Sequence, residues 1–160
     1  MKTKYLLLTI CLLGNSMLFA QKNTFKSLSE KYENEDNVTI VSISKSMFNL
    51  IPGNIKGNID LKNVISKVES LLIITSEKKE MKKKMYADFK SLIEKNSDYE
   101  ELMRVKSDKT SITFNIRKKG VIIHELIMLV NDEEDFAAIQ LLGNFTLEDI
   151  QKISNNTEAQ

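Results

Sequence analysis

This chain of 160 residues is poor in the residue types on which most metal, redox and catalytic sites depend. It has one histidine, one cysteine and no tryptophan, which excludes a metal site with two imidazole ligands and a framework of disulfides. Its five glycines are not clustered, so a glycine-rich phosphate-binding loop is excluded as well. The formal net charge of +1 supplies no basic excess for nucleic acid, and we expect no nucleic-acid partner.

The first 20 residues have the order of charge and hydrophobicity that is typical of a secretory signal peptide. Residues 1–4 give a basic start, residues 6–13 form an apolar core, and the segment ends on Leu18-Phe19-Ala20. The apolar core is too short to anchor the chain across a bilayer. The sequence therefore predicts export with cleavage between Ala20 and Gln21, and membrane contact that is peripheral at most.

Cleavage would leave one domain over residues 21–160, with an ordered core at about 24–153. Cys11 would be lost with the signal, so the exported chain would have no thiol chemistry. Its 21 basic and 22 acidic residues would give a net charge of −1. We expect the periplasm as its location, with secretion or association with the outer membrane as open alternatives.

The first half of the domain alternates helical and extended patterns. Ser76 is the expected N-cap of the longest helix, which ends near Asn96. Pro52-Gly53 is expected to end a short helical turn. The predicted elements are a helix at 24–33, a strand at Val38–Ser44, a turn of helix at Ser46–Ile51, a helix at 61–71, and a strand at Leu72–Thr75.

The second half changes to an alternating pattern with short polar turns, which predicts an antiparallel meander. Thr146 and Asp149 form a capping box for a last helix at 147–153. The predicted fold class is α+β in two layers. It has a four-stranded antiparallel meander extended by one or two N-terminal strands, and helices on one face. The predicted strands of the meander are Tyr99–Lys106, Thr110–Lys118, Val121–Val130 and Phe136–Leu142.

Two neighbouring strands of the meander differ in their patterns. In Thr110–Lys118 one side is apolar and the other is polar, so we expect the polar side to meet water. In Val121–Val130 both sides are apolar, so one is covered by loops or a helix, or it contacts another chain. The possible interaction surface is Ile123, Ile127 and Leu129, or alternatively the face from Ile122 to Met128.

Candidate catalytic residues are few. His124 and Glu125 are the pair that a small hydrolase would use, but a histidine satisfied by a neighbour is the simpler interpretation. Ser42-Ile43-Ser44-Lys45 matches the S-x-x-K pattern of penicillin-recognising enzymes, yet Ser42 is expected on a strand and the other motifs are missing. The sequence predicts no catalytic, metal-binding or cofactor-binding residues and no cofactor, and it favours a protein without enzymatic activity.

Charged clusters offer two further candidates. Five lysines at the start of the long helix could form a patch for anionic surfaces, or simply its solvated face: Lys78, Lys79, Lys82, Lys83 and Lys84. The four carboxylates at 132–135 lack the ligand spacing of a calcium loop, so a solvated hairpin turn is the better interpretation.

Several stretches are similar to a known family: Val41–Phe48, Ile74–Lys79, Tyr99–Met103 and, above all, Gly143–Ile150, behind a signal that ends Phe-Ala-Gln. In this order they resemble the DUF4252 family, small exported proteins of Bacteroidetes-type bacteria with a domain of unknown function. The resemblance covers about Thr24 to Ile153 and implies a Gram-negative cell envelope and a single compact domain. No catalytic residues are established for that family, so none carry over.

These observations favour an exported cell-envelope protein that acts as a non-catalytic binding, interaction or signalling-accessory module. Its partner would be another envelope protein or a second copy of the chain. The alternatives are a small envelope hydrolase that uses His124 and Glu125, or a module that binds anionic membrane surfaces through the Lys78–Lys84 helix.

Overall fold

The computed structural model describes residues 24–50, 59–149 and 151. Six antiparallel strands form one sheet in the order β1-β2-β6-β5-β4-β3. The predicted α+β fold is confirmed, and two N-terminal strands extend the meander. The strands are β1 (Thr39–Ser44), β2 (Val68–Ser76), β3 (Glu100–Lys106), β4 (Ser111–Lys119), β5 (Ile122–Asn131) and β6 (Phe136–Phe145).

Short turns set the order of the meander, as the sequence predicts. Gly120, whose φ of 60° suits glycine, lies in the two-residue link between β4 and β5. In the link between β5 and β6, Asp132 Oδ1 accepts hydrogen bonds from the backbone N–H groups of Glu134 and Asp135, each at 2.8 Å. Connections of this length force neighbouring strands to run antiparallel.

Besides a helical segment after β6, four helices are described: α1 (Phe25–Lys31), α2 (Lys45–Leu50), α3 (Ile59–Ser66) and α4 (Lys79–Glu94). The predicted helix at 61–71 is wrong in its second half, because β2 begins at Val68. Six residues of β2 pair with β1 on one side and eight pair with β6 on the other, and this non-local pairing overrides the helical spacing of Val68 and Leu71. Pro52 lies outside the described residues.

Helices α1 and α4 cover one face of the sheet, here called the inner face. The ring of Phe89 lies 4.8 Å from Phe25 and 5.9 Å from Phe136, centroid to centroid. Ser76 does not cap α4 as expected, since it is buried as the last residue of β2, and Lys78 stands at the cap without a side-chain hydrogen bond. The hydroxyl of Ser76 is buried and has no partner among the described residues.

A second, smaller core lies at one end of the opposite face, here called the outer face. Val64 of α3 and Val68 of β2 pack there with Ile116, Ile123 and Phe145, and Phe48 of α2 packs against this cluster. Helices therefore touch both faces, although α1 and α4 lie on one. Within the described residues, no helix combines the length and apolar character that crossing a membrane requires.

The predicted capping box lies against the link between α3 and β2. Thr146 Oγ1 accepts from the N–H of Asp149 at 3.2 Å, and Asp149 Oδ2 accepts from the N–H of Thr146 at 2.8 Å. Lys67 Nζ also lies 2.7 Å from both carboxylate oxygens of Asp149. Residues 147–149 and 151 are helical, which agrees with the predicted last helix as far as the structure describes it.

Candidate functional site

A cavity of about 640 Å³ lies between α1 and the inner face of the sheet. Its size falls within the range of small-molecule sites. Polar groups from three strands and the residue before β3 line one part of it: Arg117, Glu125, Gln140 and Tyr99. Three apolar side chains line another part: Ile40, Leu72 and Leu142.

The carboxylate of Glu125 is the centre of the polar part of the cavity. Its side chain is 3% exposed. Glu125 Oε1 accepts from Gln140 Nε2 at 2.5 Å, and Oε2 accepts from Arg117 Nε at 2.9 Å. Arg117 lies directly across from Glu125 in the register of β4 and β5, which places both on the inner face. A buried carboxylate that is paired and hydrogen-bonded in this way is a satisfied structural group.

Tyr99 completes this network as a donor. Burial, followed by the charge of Glu125 and the hydrogen bond to it, raises the pKa of Tyr99 well above its ordinary value. Burial opposes the charged form of Arg117, but the hydrogen bond and charge of Glu125 outweigh it and raise the pKa of the guanidinium. Both groups therefore keep their protons at neutral pH, and neither has the character of a general base.

His124 lies outside this network. It is exposed, and its Nδ1 is 3.1 Å from Asn144 Oδ1, while Asn144 Nδ2 donates to Glu69 Oε1 at 3.0 Å. Glu125 is 2% exposed and bonds Arg117 and Gln140 instead. The structure thus does not bring the two predicted hydrolase residues together, because neighbouring residues on a strand point to opposite sides.

The first of the two possible interaction surfaces is core. Ile123, Ile127 and Leu129 are 1%, 0% and 2% exposed. Ile127 and Leu129 pack under α1 and α4, and a bulge between Ile123 and Glu125 places Ile123 in the smaller cluster. The expectation that these three residues form an accessible contact surface is therefore wrong, since the helices and the smaller core cover them.

The outer face carries the alternative surface. One row of apolar side chains lies in register across all six strands, and we call it the central row. Its ends are 43% exposed at Val41 and 47% exposed at Met103, and its four inner members are half-buried. Neither core cluster includes any of them. The central row is Val41, Ile73, Ile139, Met128, Phe114 and Met103.

A second row beside it is also uncharged. It consists of Thr39, Thr75, Ala137, Val130, Ile112 and Val105, again in register across the six strands. Together the two rows form a continuous surface of twelve uncharged positions, nearly all apolar. A surface of this kind is a feature of interaction sites.

The two sides of strand β4 face the opposite way from the sequence prediction. Its polar side, with Asn115 at 4% exposure and Arg117 on Glu125, faces inward. Its apolar side, with Ile112 and Phe114, faces outward. The expectation that the polar side meets water is wrong, because Asn115 is buried and Arg117 pairs with the buried Glu125.

The lysine cluster does not form one uniform exposed patch. Lys82 is 8% exposed, and its Nζ donates to the backbone carbonyl of Asp132 at 2.5 Å. Lys83 lies 3.8 Å from Glu80, and Lys84 lies 3.8 Å from Glu35. Lys78 and Lys79 are exposed at the start of α4. The structure therefore removes Lys82 from the predicted patch and partly neutralises two of the others.

The acidic turn is a structural element. Two backbone hydrogen bonds lower the pKa of Asp132, which is the signature of a carboxylate that closes a turn. In the part of the chain that the structure describes, no cluster of histidine, cysteine or carboxylate side chains is arranged to hold a metal ion.

Comparison with known proteins gives the family. No curated protein and no solved structure is significantly similar to the chain. The model of the family described as "Domain of unknown function (DUF4252)" matches residues 32–153. This match spans the sheet, α2 to α4 and the capping box, and it agrees with the resemblance seen in the sequence. The chain belongs to the DUF4252 family.

Proposed function

We propose that this protein is an exported, non-catalytic interaction module of the cell envelope that docks a second copy of itself through the outer face. The observation that carries the proposal is the central row, six apolar side chains wide and uncovered by the described helices. The network around Glu125 supports the non-catalytic part, since its groups are paired with one another.

A second copy is the occupant that suits the geometry of this face. An antiparallel sheet can leave its second face in water, but such a face is ordinarily polar, whereas the two rows of the outer face are nearly all apolar. Two flat apolar sheet faces pack about 10 Å apart with interdigitating side chains. The outer face has no charged position in its two rows, so two copies meet without burying an unpaired charge.

The size of the face suits a weak, reversible dimer. Six strands about 4.8 Å apart, crossed by two rows that each cover about 7 Å of strand, give a surface on the order of 400 Å² per copy. Two copies would remove on the order of 800 Å² from water, which is the size of a weak interface. The small net charge of the chain means that two copies do not repel each other strongly at long range.

The N-terminal segment supports the cellular part of the proposal. Residues 1–20 lie outside the described residues, and their pattern of charge and hydrophobicity is that of a secretory signal peptide. Fractionation of cells that produce the full chain, with mass spectrometry of its N-terminus, tests this part. The proposal expects Gln21 as the first residue of protein in the envelope fraction; an intact N-terminus in the cytoplasm would contradict export.

Sedimentation velocity of the chain from Gln21 onward tests the docking. We expect a dimer that dissociates on dilution, and a monomer at the same concentrations for Met128→Asp, which places a charge at the middle of the central row. Val121→Asp is the matched control, because Val121 is 78% exposed in a turn outside the two rows. Circular dichroism shows whether each variant is folded.

Two results would overturn this docking. One is a wild-type chain that stays monomeric at every concentration. The other is a folded Met128→Asp variant that dimerises as well as the control. If Met128→Asp does not fold, the milder Val41→Asp, at an exposed end of the row, replaces it with the same expected loss.

A further inference from the structure

The cavity on the inner face is a second site, separate from the docking surface. The sheet stands between them, since Leu72 of the cavity wall alternates along β2 with Ile73 of the central row. The cavity measures about 640 Å³ and has an apolar wall at Ile40, Leu72 and Leu142. A site with this volume and this wall suits the apolar body of a small molecule.

The charges that line the cavity do not cancel. Lys26 Nζ lies 3.8 Å from Glu30, and Arg117 Nη2 lies 2.7 Å from Glu125, so four of the five charged groups form two ion pairs. The fifth is Glu33, whose carboxylate has no ion pair among the described residues. The lining therefore carries one uncompensated negative charge.

Two hydroxyl groups of the lining are also without partners. Ser42 of β1 and Ser70 of β2 both line the cavity, and neither side chain has a hydrogen bond within the described part of the chain. Each hydroxyl can donate one hydrogen bond and accept others. These two hydroxyl groups can therefore form hydrogen bonds with a polar head group. The groups around Glu125 are already bonded to one another and cannot.

We propose that this cavity binds a small amphipathic amine, with its aliphatic body on the wall of Ile40, Leu72 and Leu142 and its ammonium group drawn by Glu33. The excess negative charge disfavours an alkyl carboxylate of the same length, because the lining holds three carboxylates against two cations, and each cation already has a carboxylate neighbour. The Arg117 guanidinium does not provide that cation, since it is held by Glu125.

Three probes of equal length separate charge from apolar contact: hexylammonium, hexanoate and hexan-1-ol. Each is titrated into the isotope-labelled chain from Gln21 onward, at low ionic strength, while NMR follows the amide signals. We expect saturable shifts at Leu72 and Leu142 with hexylammonium, and affinity about fivefold or more above that of hexanoate. Shifts confined to the central row, no saturation, or equal affinity for hexanoate would each overturn the proposal.

Glu33→Gln is the decisive variant, because Glu33 is exposed and makes no ion pair among the described residues, so we expect its replacement to leave the fold intact. We expect the preference for hexylammonium over hexanoate to fall to about twofold or less. Glu94→Gln is the control: Glu94 is an exposed carboxylate on α4 that pairs with Lys90 outside the cavity, so the preference is unchanged. A Glu33→Gln variant that keeps the full preference would contradict the role of the charge.

Ser42→Phe tests the location independently of charge. Ser42 is exposed on edge strand β1, with Leu72 between it and Gln140 in the sheet register, so we expect a phenyl ring there to occupy cavity space away from the Glu125 network. We expect binding of all three probes to be lost while the circular dichroism spectrum is kept. A folded variant that still binds hexylammonium would place the amine elsewhere and overturn the proposal.

Discussion

At the scale of single residues, Glu125 holds together groups that are far apart in the sequence. It joins Arg117 of β4, Gln140 of β6 and Tyr99 just before β3. The sequence contained a signal of this network, a carboxylate on a strand with Ile123 and Ile127 two positions away on either side. It did not contain the partners, because sheet pairing and the positions of three other segments decide which groups meet.

Replacement of Glu125 by alanine therefore leaves three polar groups without their hydrogen-bond partner. We expect Glu125→Ala to lower the free energy of unfolding by about 2–3 kcal/mol, at the lower end for a broken buried pair because Arg117 is 41% exposed and can reach water. Urea denaturation at neutral pH measures this loss. Glu134→Ala, at an exposed position in a turn, is the control with an expected change of less than about 0.5 kcal/mol.

Asp149 is a second single residue for which a prediction can be made, on how the free energy of unfolding depends on pH. Burial opposes its ionised form, but the hydrogen bonds from Lys67 and from Thr146 outweigh burial and lower the pKa of the carboxyl. A folded-state pKa below the unfolded one gives stability that is present above about pH 4 and is lost as the pH falls through the folded value. We expect the free energy of unfolding to fall below pH 4, and the fall to be shallower in Asp149→Asn.

The measurement for Asp149 is urea denaturation between neutral pH and about pH 3. Asp108→Asn is the control, since Asp108 is exposed and has no ion pair in the described part of the chain. The account is contradicted if Asp149→Asn keeps the wild-type slope below pH 4 while Asp108→Asn alters it.

At the scale of elements, sequence patterns predicted the secondary structure correctly where neighbouring residues determine it. They were insufficient where pairing with distant strands determines it. The meander follows from alternation and short turns, and its strands agree with the structure to within about three residues. Val68 and Leu71 fit both a helix and a strand, and only the ladders to β1 and β6 select the strand. Similarly, Ser76 has the residue type and position of a helix cap, but in the structure it is the last residue of β2.

A buried lysine on helix α4 forms a hydrogen bond with the meander. Lys82 Nζ donates to the carbonyl of Asp132 in the turn between β5 and β6. We expect Lys82→Ala to lower the free energy of unfolding by about 1.5–3 kcal/mol, the cost of a lost hydrogen bond to a charged group. Lys83→Ala, one position along the same helix and exposed, is expected to change it by less than about 0.5 kcal/mol. Equal effects of the two variants in urea denaturation would contradict this role.

At the scale of the whole molecule, the sheet divides the protein into two surfaces with different chemistry. The inner face holds α1, α4, the Glu125 network and the cavity, and the outer face holds two uncharged rows and, at one end, the smaller core with α2 and α3. The doubly apolar pattern of β5 indicated two apolar faces, but the sequence could not tell which face the long helix covers. That choice depends on where α1 and α4 pack.

Contact between two copies at the central row can be observed in an isotope-filtered NOE experiment on the chain from Gln21 onward. It uses an equal mixture of methyl-labelled and unlabelled copies. We predict NOEs between copies at the Met128 methyl group and at Ile139, both in the central row. Their absence from a sample that sedimentation shows to be dimeric, with NOEs between copies only at residues outside the two rows, would contradict the account.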